Sequence, residues 1–91
     1  MPRSRKSLYS VEYQTLLALL VERRERAGIT QVALAKRMAT SQSMLSKLER
    51  RVVRMDLLDL FAYLEGIGEE PVNFVRTYSK TLRSRHRSKA R

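Results

Sequence analysis

The stretch TQVALAKRMATSQSMLSKLER, residues 30–50, contains two short amphipathic helical patterns with almost nothing between them. Thr30 and Ser41 are suited to be N-caps, because a side-chain oxygen there accepts an unpaired amide N–H of the first helical turn. Apolar residues then recur at helical spacing in both segments. They are Leu34, Ala35 and Met38 in the first, and Leu45 and Leu48 in the second. Only Ala39 and Thr40 separate the patterns, so the sequence predicts two helices joined by a tight turn.

Length and composition limit the class of protein. The chain has 91 residues, enough for one small domain, and no cysteine, so it has neither disulfides nor thiolate chemistry. His86, the one histidine, lies in a basic segment, so we expect no metal site and no cofactor. The longest apolar run, residues 16–21, is too short to cross a bilayer, and no secretory signal is evident. We therefore expect a cytoplasmic protein without a membrane partner.

The formal net charge of +10 is unevenly distributed along the chain. Residues 1–10 and 76–91 contain basic residues and no acidic residue, and together they supply the entire excess. The middle is neutral but polarised, because basic residues predominate in 23–54 whereas 55–75 contain acidic residues and no basic one. Such charges can simply solvate a small helical protein. Their coincidence with the pattern at 30–50 instead favours a surface that faces a polyanion.

Helical patterns cover the rest of the domain. The predicted helices are Val11 to about Ala27, 31–38, 42–50, Asp56 to about Glu65 and Pro71 to about Leu82. No alternating strand pattern is present, so we predict an all-α bundle of five short helices. In the fourth helix Leu57, Leu60, Phe61 and Leu64 share one face. We expect a basic arm at 1–10, the folded domain at 11–82 and a flexible basic tail at 83–91.

Two short helices joined by a tight turn, the second with polar residues at its start, form a helix-turn-helix. The segment 28–67 resembles the Cro/cI phage-repressor (Xre-like) helix-turn-helix family. The residues that carry the likeness are GITQ at 28–31, LA at 34–35, SQSMLSKLER at 41–50 and DLLDLFAYLEGIG at 56–68. They combine small, apolar and polar types at many fixed offsets. The resemblance implies a compact bundle of the lambda-repressor-like type that binds double-stranded DNA.

The resemblance also implies roles for the polar residues of the motif. The family inserts the start of the second motif helix into the major groove, and this chain has there Gln42, Ser43, Met44, Ser46 and Lys47. Gln can hydrogen-bond an adenine edge and Met can pack on a thymine methyl. The family uses the Gln that begins the first motif helix, here Gln31 after Thr30, to hold a phosphate and brace the base-reading side chain. The loop after the motif adds candidate phosphate contacts at Arg50, Arg51 and Arg54.

Less specific interpretations of these residues stay open. Gln42 and Ser43 are also common at ordinary helix starts, and Met44 also serves as generic apolar surface or core. Arg24 and Glu49 match positions at which the family joins its first helix to the motif by an ion pair, although a solvated Glu49 is the alternative. The fifth helix carries Phe74, Val75, Tyr78 and Leu82, which we interpret as a dimer interface. Part of that surface could instead pack on the first helix.

Two residues depart from the family pattern. Ala39 stands where a glycine is common in the turn, and Arg51 stands where a glycine often follows the second motif helix. If either backbone is left-handed, each costs on the order of 1 kcal/mol.

Three functions remain open, and none is enzymatic. The chain lacks a Ser/His/Asp set, a glycine-rich phosphate loop and a credible carboxylate pair, so we do not expect an enzyme. The favoured function is a DNA-binding transcriptional regulator, a repressor that binds a near-palindromic site as a homodimer. One alternative is an antitoxin with the same fold and a toxin as its protein partner. Another is a basic protein that binds RNA or other nucleic acid non-specifically through its tails.

Overall fold

Five helices with short connections form the computed structural model, which describes the backbone of residues 10–89 and the side chains of residues 10–85. The helices are α1 (Val11–Arg26), α2 (Gln31–Arg37), α3 (Gln42–Glu49), α4 (Leu57–Gly66) and α5 (Pro71–Lys89). No strand occurs in this part of the chain. The predicted all-α five-helix bundle is therefore confirmed. The predicted arm at 1–10 falls, apart from its last residue, outside the described residues.

Side chains cap α1 to α4 at their predicted starts. The caps are Ser10, Thr30, Ser41 and Asp56. In each case a side-chain oxygen accepts the backbone N–H three residues ahead, at distances of 2.8 to 3.1 Å. At α4 the carboxylate of Asp59 also accepts the backbone N–H of Asp56, which completes a capping box. Each cap is worth about 1 kcal/mol, so local sequence sets where the motif helices begin.

The core lies where α1, the two motif helices and α4 meet, and α5 closes it with one aromatic ring. Its buried apolar residues are Tyr13, Leu17, Leu20, Leu34, Ala35, Leu45, Leu48, Met55, Tyr63, Leu64, Ile67 and Phe74. The helices α2 and α4 approach so closely at Gly66 that a Cβ there would collide with Cδ1 of Leu34. Arg37 of α2 also donates to the carbonyl of Gly66 at 2.6 Å. These contacts hold the motif on the scaffold.

The predicted apolar face of α4 is only partly correct. Leu64 is buried and Leu60 packs against the core, whereas Leu57 and Phe61 are 65% and 48% exposed. The position that replaces them is Tyr63, which is 0% exposed. A buried tyrosine needs a partner for its hydroxyl, and this one has a carboxylate acceptor on α3. The helix is therefore turned by about one residue from the predicted face.

Helix α5 is longer than the sequence predicted. It continues beyond Leu82 to Lys89. No large apolar residue follows Leu82, so the sequence indicates an end there, but Arg and Lys are good helix formers and need no packing to extend a helix. The flexibility of the tail stays a prediction, and residues 90–91 lie outside the described part. Neither α5 nor any other helix within residues 10–89 has the length and apolar character needed to cross a membrane.

Two residues other than glycine have a left-handed backbone in the described part of the chain, and they lie in the turns that flank α3. Ala39 has φ of 58° and Arg51 has φ of 64°. Beside them, the Thr40 N–H donates to the carbonyl of Ala35, and the Val52 N–H donates to the carbonyl of Lys47, both at 2.9 Å. A left-handed backbone costs a residue with a Cβ about 1 kcal/mol or more. The packing of the flanking helices therefore holds both turns against an unfavourable backbone.

Candidate nucleic-acid interface

The first turn of α3 presents the predicted base-reading residues on its outer side. Gln42, Ser43 and Met44 are exposed, and so is Lys47 one turn later. The opposite side of the same helix is anchored in the core by Leu45 and Leu48, which are 0% and 3% exposed. Because α3 is amphipathic in this sense, its polar residues lie together on a surface of a rigid element.

Ser46 differs from the other predicted base-reading residues. It is half-buried, and its hydroxyl oxygen accepts a hydrogen bond from Nε of Arg50 at 3.1 Å. Its hydroxyl proton remains available to a further acceptor, because a serine hydroxyl donates as well as accepts. Arg50 itself is exposed at the end of α3. The contact therefore places a guanidinium beside the surface formed by the first turn.

A buried hydrogen-bond network lies behind this surface and centres on Glu49. Arg24 of α1 donates from Nε to Oε2 at 2.7 Å and from Nη2 to Oε1 at 3.1 Å. The hydroxyl of Tyr63 on α4 donates to Oε2 at 2.7 Å, and Nε2 of Gln31 on α2 donates to Oε1 at 2.8 Å. The ion pair between Arg24 and Glu49 is thus present, and its carboxylate also joins α2 and α4 to α3.

Burial and hydrogen bonding act in opposite directions on the pKa of Glu49. Desolvation raises it, but hydrogen bonds from Arg24, Gln31 and Tyr63 together outweigh burial and hold the pKa below its ordinary value. Burial raises the pKa of Tyr63, and the hydrogen bond to the Glu49 carboxylate raises it further. The hydrogen bond to Glu49 likewise raises the pKa of Arg24. Near neutral pH, Glu49 is therefore an ionised acceptor surrounded by donors.

Gln31 connects this buried network to the exposed turn of α3. Its Oε1 accepts from Nε2 of Gln42 at 3.4 Å, while its own Nε2 faces Glu49. The structure therefore brings together the two glutamines that the resemblance linked. Sequence reasoning missed Tyr63 as a member of the network. The sequence of the motif did not indicate Tyr63, because Tyr63 lies on α4 and the direction of its side chain depends on the rotation of that helix.

Basic residues in the loop after α3 form a second part of the surface. Arg50 and Arg54 are exposed and Arg51 is half-buried. The guanidinium carbon of Arg54 lies 5.6 Å from the ring centroid of Tyr13, a cation–π arrangement that holds it beside α1. The same tyrosine accepts the backbone N–H of Met55 at 2.8 Å. The loop is thus tied to α1 through Tyr13.

The four dimer candidates on α5 do not share an exposed face. Phe74 is 1% exposed and belongs to the core, so its assignment to a dimer surface is wrong. Tyr78 and Leu82 are half-buried, and the hydroxyl of Tyr78 donates to the carbonyl of Glu12 on α1 at 2.7 Å. The alternative of packing on the first helix therefore describes Tyr78. Val75 is the candidate that remains exposed, at 45%.

A different apolar surface lies between α4 and α5, and we call it the α4–α5 patch. Its members are Leu57, Leu58, Phe61, Val72 and Val75, each between 45% and 78% exposed. Several of them, with Pro71, line a shallow cavity of about 200 Å³. Sequence reasoning missed this patch because helical spacing had assigned two of its members to the core.

The chain is similar to known proteins over most of its length. Residues 20–73 match the helix-turn-helix family. The solved structure of an XRE-family like protein from Pseudomonas syringae pv. tomato str. DC3000 is similar with a TM-score of 0.77 and 37% sequence identity, over 84% of this chain and 93% of that chain. A search of curated proteins found no match. With its exposed α3 and adjoining arginines, the chain belongs to the helix-turn-helix family and is a DNA-binding transcription regulator of the XRE type.

Proposed function

We propose that the protein is a repressor that binds a near-palindromic DNA site as a homodimer, with α3 in the major groove. The observation that carries this proposal is the exposed first turn of α3, where Gln42, Ser43 and Met44 stand on a helix fixed by buried residues. Side chains on a rigid element are positioned before binding, so little ordering is needed when DNA arrives.

The roles within the interface divide by chemistry. Gln42 reads adenine, Met44 packs on a thymine methyl, and Lys47 reaches guanine or phosphate, with Ser43 and Ser46 as further hydrogen-bonding groups. The phosphate contacts come from the start of α2 and from the loop after α3. Their residues are Thr30, Gln31, Arg50, Arg51 and Arg54. Phosphate contacts fix the register of the protein on the duplex, and base contacts supply the sequence preference.

A homodimer would supply specificity that one motif lacks, because a single α3 reaches only a few base pairs. Two copies related by a two-fold axis would read half-sites about 10 base pairs, or about 34 Å, apart. We assign the α4–α5 patch to this contact, with a second copy of the chain as its occupant. The patch lies within the acidic segment 55–75, and Arg76 and Lys80 of α5 are exposed beyond it. A second copy therefore offers both the apolar surface and the complementary charge.

Selection of bound duplexes from a random pool tests the function directly. The proposal expects enrichment of a sequence with two related half-sites, in about tenfold or greater excess over unselected duplex. Equal affinity for every duplex would overturn it and favour the alternative of a basic protein that binds nucleic acid non-specifically. Such a result would leave the exposed turn of α3 without a role in sequence readout.

A further inference from the structure

The hydrogen bonds from Glu49 through Gln31 to Gln42 run in one direction only. A carboxylate can accept but cannot donate, so the amide of Gln31 must turn its nitrogen toward Glu49, where Nε2 lies 2.8 Å from Oε1. The amide oxygen of Gln31 then faces the other way. Because an amide oxygen can only accept, Gln42 must turn its nitrogen toward it, and Nε2 lies 3.4 Å away. One buried carboxylate therefore sets the orientation of both amides.

The carboxylate is itself held in place from the other side. Nε of Arg24 and the hydroxyl of Tyr63 each lie 2.7 Å from Oε2 of Glu49, whereas Gln31 contacts Oε1. The side chain of Glu49 is 6% exposed and that of Arg24 is 10% exposed. Arg24 donates to both oxygens, because its Nη2 also lies 3.1 Å from Oε1, so every group around the carboxylate is a donor. The direction of the chain of hydrogen bonds therefore cannot reverse while Glu49 is ionised.

Gln42 consequently presents a particular pair of groups to solvent. One of its two N–H groups is directed to Gln31, and its carbonyl oxygen and second N–H remain. One acceptor beside one donor matches the major-groove edge of adenine, which offers an amino donor beside the N7 acceptor. Guanine offers two acceptors, O6 and N7, and would require two donors. The geometry is therefore selective between the two purines.

We infer that Glu49 is a positioning residue for base recognition: by fixing the direction of the hydrogen bonds through Gln31, it makes Gln42 select adenine over guanine. This inference rests on the proposed function, in which Gln42 faces base edges. The substitution Glu49→Gln should reverse the direction. The new amide would keep its oxygen toward the two donors at the Oε2 position, which lie at 2.7 Å, and turn its nitrogen toward Gln31. It would give up the 3.1 Å contact from Nη2 of Arg24, because an amide nitrogen cannot accept. Gln31 would then turn its own nitrogen outward, and Gln42 would present two N–H groups.

The test uses the duplex that the wild-type full chain selects from a random pool, with each A·T pair replaced in turn by G·C. The wild type should lose roughly tenfold or more in affinity at one pair, and the substitution Gln42→Ala should abolish that loss. Glu49→Gln should reduce the discrimination at this pair to below about threefold. Tyr63→Phe is the matched control, because it removes a donor to Oε2 and leaves the contact of Gln31 with Oε1. It should lower stability and keep the preference for adenine.

A second variant covers the case in which Glu49→Gln does not fold. Gln31→Met leaves the Arg24–Glu49 pair in place but interrupts the chain of hydrogen bonds, so it should cause the same loss of discrimination between adenine and guanine. Adding Glu49→Gln to it should change the ratio no further. If Glu49→Gln and Gln31→Met lower affinity equally for the two duplexes, Glu49 is only structural and the inference is overturned. A preference of the wild type for guanine at the Gln42-dependent pair also overturns it, whereas a shift of Glu49→Gln toward guanine agrees with the reversed direction. Absence of any selected sequence overturns the proposed function as well.

Discussion

Arg24 and Glu49 form a bidentate ion pair that joins α1 to the end of α3, with Nε 2.7 Å from Oε2 and Nη2 3.1 Å from Oε1. Arg24 also donates from Nη1 to the carbonyl of Ile29, just before α2, at 2.9 Å. One guanidinium thus ties the first helix to both ends of the motif. The carboxylate in turn accepts from Gln31, which lies behind the exposed first turn of α3. In the proposed function, stability and recognition therefore share this pair.

Arg24→Ala should lower the free energy of unfolding by about 3–5 kcal/mol, because it leaves Glu49 buried without its charged partner. Urea unfolding followed by circular dichroism measures this change. Arg26→Ala is the control, because Arg26 pairs with Glu22 on the solvent side of α1, where both side chains are more than half exposed. That variant should change stability by less than about 0.5 kcal/mol. Similar losses in the two variants would contradict the importance of the buried pair.

Acid should weaken the contribution of Glu49 to stability. Its folded-state pKa lies below the ordinary value of 4.5, so its contribution is complete above that value and is lost as the pH falls through the folded-state pKa. The comparison is between the wild type and Glu49→Gln, which removes the titrating group. The stability advantage of the wild type should be constant between about pH 6 and 7 and should shrink below about pH 4. An advantage that grows on acidification would be inconsistent with the lowered pKa.

Ala39→Gly should stabilise the fold by about 1 kcal/mol, because glycine adopts a left-handed backbone without the Cβ clash that alanine has at φ of 58°. Ala18→Gly is the control. Ala18 is an exposed residue within α1, where glycine should cost about 1 kcal/mol. Thermal or urea unfolding of the two variants should therefore give shifts of opposite sign, and a loss of stability at both positions would show that the turn is not strained.

Val72→Glu should prevent self-association if the α4–α5 patch joins two copies, because it places a charge in the middle of an apolar contact within an already acidic segment. Val32→Glu makes the same change at an exposed valine of α2, outside the patch, and should not alter association. Sedimentation of the free proteins gives the comparison. A wild type that is monomeric at high concentration, both free and on DNA, would refute the dimer and favour the antitoxin alternative, in which another protein covers this surface.

Local signals made the motif predictable from sequence. Thr30 and Ser41 cap their own helices, and the two residues Ala39 and Thr40 between the patterns leave room only for a tight turn. Short-range contacts therefore decide these boundaries. The rotation of α4 was not predictable in the same way. By helical spacing, Leu57 and Phe61 lie on one face with Leu64. The face that is buried in the structure fits that spacing equally well. The face of α4 that is buried in the structure carries Tyr63, whose hydroxyl donates to Glu49. This contact joins residues distant in sequence, so the local pattern of α4 does not reveal it.

The contact between Gln31 and Gln42 was predictable from the resemblance, but the direction of its hydrogen bonds was not. The resemblance alone linked Gln31 with Gln42, and the residues occur at the expected offsets. The orientation of their amides depends on Glu49, whose own partners come from α1 and α4. The burial of Phe74 in the core could not be predicted either. An apolar residue on a terminal helix suits a core and a dimer contact equally well until the packing of α5 is known.

The binding of Gln42→Ala to two duplexes tests most directly the claim that α3 reads base edges. On the duplex selected by the wild type, the variant should bind about 1–3 kcal/mol more weakly, and on an unrelated duplex at the same salt concentration its affinity should be nearly unchanged. Gln14→Ala, at an exposed glutamine of α1, should match the wild type on both. Equal losses by Gln42→Ala on the selected and unrelated duplexes would contradict base reading by α3, because its first turn would then contribute affinity without reading sequence.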